Sequence, residues 1–171
     1  MSSRNRESLR AELGDEMRLH QMAVDALDEA VAEHLGVNRT DLRCLDVLLR
    51  LGTATAGRLG AELGLTTGSV TAMLDRLARL GYLTRSPDAT DRRRVVVEPT
   101  PEVVAGAGEL YGPIASDGAR DLARYSVAEL QLLIDFLRQS RRLQEEHRAR
   151  IRALPPATPG RAAPRPRNSG G

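Results

Sequence analysis

Thr66-Thr67-Gly68-Ser69-Val70-Thr71-Ala72-Met73-Leu74-Asp75-Arg76-Leu77-Ala78-Arg79-Leu80-Gly81 is the stretch that decides the fold. Val70, Met73, Leu74, Leu77 and Leu80 recur at helical spacing as one apolar stripe, Thr66 offers an N-capping hydroxyl, and Gly81 ends the helix. With that stripe turned inward, Thr67, Ser69 and Thr71 lie toward the exposed N-terminal turns. Hydroxyls there can bond phosphates or base edges, and the methyl groups of Thr67, Thr71 and Ala72 can meet thymine methyls. The helix N-terminus itself favours a phosphate. Any one of these residues is as readily a cap or surface filler; the set together points to a helix that reads duplex DNA.

Two shorter capped helices precede it. Asn38 or Thr40 can cap the first, with Leu42, Leu45, Leu48 and Leu49 facing inward and Gly52 as its stop. Thr55 caps the next, with Leu59 and Leu63 inward and Gly64 closing it. Three capped helices between residues 38 and 81 have helix-turn-helix spacing. After Gly81 the period changes. Tyr82 to Ser86 and Val95 to Glu98 are β-prone runs separated by Pro87-Asp88-Ala89-Thr90-Asp91 and then Arg92, Arg93 and Arg94, which predicts a hairpin with an arginine tip. Guanidinium groups on such a wing suit a narrow minor groove, where negative potential is concentrated.

Residues 7 to 35 predict a long amphipathic helix carrying Leu9, Leu13, Val24, Leu27, Val31 and Leu35, with Gly14 as its weak interior point. It would span roughly 40 Å, more than a small core covers, so its excess face is expected to meet a partner chain. Thr100-Pro101-Glu102 starts a fifth helix, which Gly106, Gly108, Gly112 and Pro113 are expected to weaken or kink. Ser126-Val127-Ala128-Glu129 is a capping box for a sixth helix reaching about Arg152, with Leu130, Leu133, Ile134 and Leu137 for packing. Four segments are thereby expected: an N-terminal dimerisation helix (1–37), a winged helix-turn-helix lobe (38–100), C-terminal dimerisation helices (101–152) and a disordered Pro/Arg tail (153–171).

Composition narrows the function. The chain has 171 residues, 41% hydrophobic and 28% charged, enough for one core. Aromatics are only 2%, with no Trp, so readers that stack bases on aromatic platforms are set aside. All 25 basic residues are arginine. They concentrate at 85–94, at 138–152 and in the tail, leaving the remainder acidic, and localised basic charge is what nucleic-acid binding requires. Charged runs such as 138–152 are also ordinary solvated faces. One cysteine, Cys44, excludes an internal disulfide framework and a Cys-cluster zinc site. Without a signal-like or membrane-spanning apolar run, a cytoplasmic protein without membrane association is expected.

Leu35-Gly36-Val37-Asn38-Arg39-Thr40-Asp41-Leu42-Arg43, Val70-Thr71-Ala72-Met73-Leu74-Asp75-Arg76-Leu77, and Gly81-Tyr82-Leu83-Thr84-Arg85 followed by Asp91-Arg92-Arg93-Arg94-Val95 stand in the order of a known family. From about residue 7 to 152 the chain resembles a MarR-family winged helix-turn-helix transcriptional regulator. The resemblance implies a mainly α fold of six helices with a small β-hairpin wing, an intertwined homodimer, and a pseudo-palindromic double-stranded DNA site with one recognition helix in each major groove. It implies an ion pair from Asp75 to Arg92 or Arg93, with Asp75–Arg93 taken as the wing-fixing pair and the other arginine in the minor groove. Two residues depart from the pattern. Ala72 stands where many members carry a long basic residue, and Pro99 where many carry Leu, so Pro99 is expected to end the return strand early. DNA contacts are thus expected from Thr67, Ser69, Thr71, Arg76, Arg92, Arg93 and Arg94.

The family commonly senses a small anionic or phenolic molecule between its dimerisation helices and DNA-binding lobe, or oxidises a cysteine. The resemblance therefore implies a ligand-responsive repressor, and His20, Arg43 and Cys44 are the candidate effector-pocket residues. Cys44, between Leu42 and Leu45, reads first as a buried small hydrophobe. His20, His34 and His147 are scattered, so no metal site is expected, and no catalytic constellation or cofactor motif stands out. The alternative from a different class is a winged-helix protein-interaction module that uses its basic hairpin on an acidic surface.

Overall fold

The computed structural model describes residues 5–88, 91 and 94–155. Among these, six helices and three short strands follow in the order α1 (Arg6–Leu35), α2 (Arg39–Leu51), β1 (Ala54–Thr55), α3 (Ala56–Leu63), α4 (Thr67–Arg79), β2 (Leu83–Pro87), β3 (Val95–Pro99), α5 (Pro101–Leu122) and α6 (Val127–Arg152). The fold is the expected winged helix-turn-helix. The chain divides into two compact units, one ending at Ala115 and the other beginning at Ser116. The tail beyond Pro155, expected to be disordered, lies outside the described residues.

Local signals placed the helix ends. Asn38, rather than Thr40, caps α2: its side chain accepts from the Asp41 N–H at 2.9 Å, and Asp41 Oδ2 accepts from the Asn38 N–H at 3.4 Å. Thr55 and Thr66 accept from Arg58 N–H and Ser69 N–H, each at 3.3 Å. Such caps each stabilise a helix by about 1 kcal/mol. α3 is only eight residues long, too short to hold without a cap and a buried face.

The core of the first unit joins Leu45 and Leu48 of α2, Leu59 and Leu63 of α3, and Val70, Met73, Leu74 and Leu77 of α4 to Leu83 and Val97 of the sheet. A second cluster packs Val31 and Ala32, near the end of α1, on Leu42, with Leu110 and Tyr111 of α5 against them. The last turns of α1 and the first part of α5 therefore belong to the same unit as the lobe, across the divisions expected at 37 and 100. Tyr82 reinforces this: its hydroxyl donates to the Leu35 carbonyl at 2.7 Å.

Two features differ from the expectations, and a third bears on α5. β1 is a two-residue strand, too short to show alternation in a sequence, yet it pairs Ala54 with Val97 and Thr55 with Val96, making β3 the central strand of an antiparallel sheet ordered β1-β3-β2. Pro99 does not shorten the return strand; it pairs with Leu83. The Thr100 N–H donates to the Tyr82 carbonyl at 3.2 Å, so the next pair, Leu83–Pro99, is a non-hydrogen-bonded one. The Pro99 nitrogen faces the other edge, where β1 has already ended, and no ladder bond is lost. Finally, α5 runs unbroken through Pro113. The preceding Gly112 has no Cβ to meet the proline ring, which removes one of the clashes that normally end a helix there.

Leu77 has no solvent exposure and lies on the α4 face that meets the rest of the lobe. Leu77→Ala is expected to lower unfolding free energy by about 3 kcal/mol, read as a lower urea midpoint with an unchanged slope.

Candidate nucleic-acid interface

On α4 the buried stripe and the exposed strip are cleanly separated. Val70, Met73, Leu74 and Leu77 are buried, whereas Thr67, Gly68, Ser69, Thr71, Ala72, Asp75 and Arg79 are exposed. The hydroxyls of the first turns are already oriented. Thr66 Oγ1 lies 2.9 Å from Ser69 Oγ, and Thr71 Oγ1 donates to the Thr67 carbonyl at 3.0 Å. With its proton committed to the backbone, the Thr71 hydroxyl faces outward as an acceptor, suited to the amino group of adenine or cytosine, with its methyl available to thymine. Arg79 lies on the same exposed strip, four residues beyond Asp75. That four-residue spacing is legible in the sequence.

Arg76 stands apart from this strip. Expected among the DNA-contacting residues, it holds Asp41, donating from Nε to Oδ2 at 2.7 Å and from Nη2 to Oδ1 at 2.5 Å. Asp41 has no solvent exposure and Arg76 retains 38%. A fork-to-fork pair of this kind fixes orientation as well as distance. The same carboxylate closes the α2 capping box, so one buried group ties the start of α2 to the last turns of the recognition helix. Asp41 was not singled out from the sequence. Its capping role was legible in Asn38-x-x-Asp41, but a partner 35 positions away was not.

The expected partners of Asp75, Arg92 or Arg93, cannot be compared with the pair that is described. Asp75 accepts from Arg85 Nη2 of β2 at 2.5 Å; Arg92 and Arg93 lie outside the described residues. Both members of the Asp75–Arg85 pair are substantially exposed, so its value lies in aligning β2 with α4 more than in stability. Asp88 and Asp91 fold the loop. The Asp91 N–H donates to Asp88 Oδ1 at 3.3 Å, the Arg94 N–H to the Asp91 carbonyl at 2.9 Å, and the Asp88 N–H to the Arg94 carbonyl at 2.8 Å. Arg94 is exposed at the end of this turn.

The candidate effector residues do not come together in a cavity. The first unit contains one of about 320 Å³, walled by α2, the start of α5 and the α4–β2 junction, and His20, Arg43 and Cys44 are not among its lining residues. Cys44 is fully buried in the lobe core. Burial, and secondarily the Asp41 carboxylate, push its thiol up from the usual 9 to about 12, the opposite of a reactive cysteine. Among the described residues no group of three or more metal-ligating side chains gathers, and no helix is long and apolar enough to cross a membrane.

Two outcomes are expected. Arg76→Ala leaves the Asp41 carboxylate buried without its cation and lowers stability by about 3 kcal/mol in urea unfolding. A residue that only touched DNA would leave the unfolding curve in place. Native Cys44 resists a thiol-reactive disulfide reagent at neutral pH and reacts once urea is added. Because its thiol is raised in the folded state, the unfolded chain loses that proton first, and the resulting stability loss sets in as pH rises above about 9.

A family model described as the MarR family matches residues 35–94. The HTH-type transcriptional regulator YcgE of Bacillus subtilis is 41% identical over 125 residues, covering 72% of this chain and 80% of that protein. The multiple antibiotic resistance protein MarR of Salmonella typhimurium is 27% identical over 103 residues, 60% of this chain and 72% of its own length. Among solved structures, a point mutant of MepR from a multidrug-resistant S. aureus clinical isolate aligns at a TM-score of 0.62 with 16% identity, covering 75% of this chain and 94% of that one. Wild-type MarR from E. coli in its apo form aligns at 0.53 with 22% identity, over 75% and 95% respectively. These last two likenesses speak to the fold. With its capped helix-turn-helix, its hairpin wing and 41% identity over 80% of YcgE, the chain belongs to the MarR family of winged helix-turn-helix transcriptional regulators.

Proposed function

We propose that this regulator binds a pseudo-palindromic operator as a homodimer and acts as a ligand-responsive repressor. The observation that carries the reading is the exposed strip of α4. Thr67, Ser69, Thr71 and Ala72 are short enough for the helix backbone to approach base edges closely. Asp41–Arg76 holds that helix in register from behind, and Asp75–Arg85 holds the wing beside it. Arg92, Arg93 and Arg94 then supply the minor-groove and phosphate contacts, and Arg79 a phosphate contact at the far end of α4. Arg76 positions the helix and reads no base.

The dimer is supported by apolar faces that the single chain leaves uncovered. α1 extends roughly 45 Å with Leu9, Leu13, Met17, Val24 and Leu27 exposed, and α6 buries no residue although Leu132 and Leu137 are 69% and 62% exposed. Helices this apolar and this unsupported need a partner surface. A two-fold dimer presents two recognition helices to half-sites spaced by a turn of duplex. The cavity beside the α4–β2 junction provides for the effector.

In fluorescence anisotropy the full chain is expected to bind its upstream intergenic duplex at least tenfold more tightly than scrambled duplex, with affinity falling steeply as salt rises. Replacing Arg92, Arg93 and Arg94 by Ala is expected to weaken binding to both duplexes and flatten the salt dependence. Thr71→Val keeps the methyl and the volume, and is expected to change preference among operator bases instead. Equal weak binding to both duplexes would favour a protein-interaction module. Sedimentation is expected to give twice the 18.6 kDa chain mass, and Leu132→Glu with Leu137→Glu a smaller species.

A further inference from the structure

We infer that the cavity of the first unit takes a small amphiphilic cation, an aromatic or aliphatic body bearing a quaternary or protonated amine. This rests on the ligand-responsive reading above and names its ligand class. The volume, about 320 Å³, lies at the low end for small-molecule sites. Leu42, Leu45 and Leu49 of α2 and Val103, Ala107 and Leu110 of α5 give it an apolar wall. Its acidic groups are Asp46 of α2 and Glu102 of α5, and none of its lining residues is basic. The two tyrosines differ. The Tyr82 hydroxyl is committed to the Leu35 carbonyl, whereas Tyr111 brings an aromatic ring to the lining, a group that can attract cations.

The formal charges among the lining residues are those of Asp46 and Glu102, both negative. The Asp46 carboxyl is held above the usual range, first by burial and then by Asp28 of α1, with Arg43 of α2 opposing. The Tyr111 phenol is raised as well, by burial first and then by Asp46 and Asp28. Burial opposes a charge of either sign, and Asp28 and Asp46 add a penalty for negative charge alone, so an anion or a phenolate is disfavoured relative to a cation. A cation compensates Asp46 and Glu102 while its body covers the leucines.

The position also connects the site to DNA binding. Leu80 and Tyr82 line the cavity on either side of Gly81, which is held at a positive φ of 76°. Thr100 ties this junction to α5, donating from Oγ1 to the Gly81 carbonyl at 2.9 Å. A ligand in the cavity thus abuts the link that sets α4 relative to the wing. It can bias operator affinity only through a difference in its contacts between the two states, and that coupling is reciprocal.

The test is isothermal titration of the full chain with benzyltrimethylammonium, benzyl alcohol and phenylacetate, which share a ring and differ in charge. The cation is expected to bind about tenfold more tightly than the alcohol, the order of one charge-assisted contact, and the anion more weakly than either. Asp46→Asn with Glu102→Gln should bring the cation down to the alcohol while alcohol binding persists, showing an intact cavity. Ala107→Phe, which fills the cavity, should abolish both. Phenylacetate binding as tightly as the cation, cation binding unaffected by the double variant, or no binding of any of the three overturns the inference. Anisotropy on the operator in the same samples separates the two readings. Operator binding with the charge order reversed removes the cation site and leaves the regulator; cation binding without any operator binding does the converse.

Discussion

A carboxylate cut off from water holds the recognition helix by its arginine. Asp41 closes the α2 capping box with one set of contacts and receives the Arg76 fork with another. Burying a charge is costly, and an ion pair in such a place often adds no more stability than an apolar pair of the same size. Its contribution lies in geometry. The leucines and valines of α2, α3 and α4 supply the net burial that folds the lobe, but apolar contacts tolerate small rotations and slides. A bidentate pair does not, since both of its hydrogen bonds require one orientation of the guanidinium plane. The exposed threonines of α4 inherit that precision.

The wing is held by lighter means. The Asp75–Arg85 pair is exposed on both sides and aligns β2 with α4 without adding much stability. The sheet does more. The two residues of β1 give β3 a second neighbour at Val96 and Val97, and Val97 is buried in the core. The hairpin is thereby anchored at its base. Arg76 and Arg85 come from the same arginine-rich composition as Arg92 to Arg94, and each pairs with a carboxylate of another element. Charge along the chain could not separate these roles; the identity of the nearest carboxylate does.

The charges that line the cavity underlie the ligand class proposed above. The resemblance implied an anionic or phenolic ligand, and His20, Arg43 and Cys44 were singled out accordingly. The cavity that forms is lined by Asp46 and Glu102 instead, while Cys44 faces the apolar core with its thiol firmly protonated. The same backbone frame can present opposite charge to a ligand, because two or three lining positions set the potential and the frame does not.

What the sequence determined by itself was local: six helices, their caps at Thr55, Thr66 and Ser126 and a choice of Asn38 or Thr40 for α2, the inward stripe of α4, and the hairpin that follows Gly81. Each rests on periodicity or on a hydrogen bond between residues a few positions apart, and such interactions are present in the order of the letters. The tertiary structure alone decided that Arg76 meets Asp41, that Asp75 meets Arg85, that Ala54 and Thr55 form a strand, that Pro99 keeps its pairing and that the cavity is acidic. Those outcomes depend on which distant surfaces are brought within a few ångströms. Many partners of suitable charge or shape are available in the chain, and only the packing of the helices around one core selects among them.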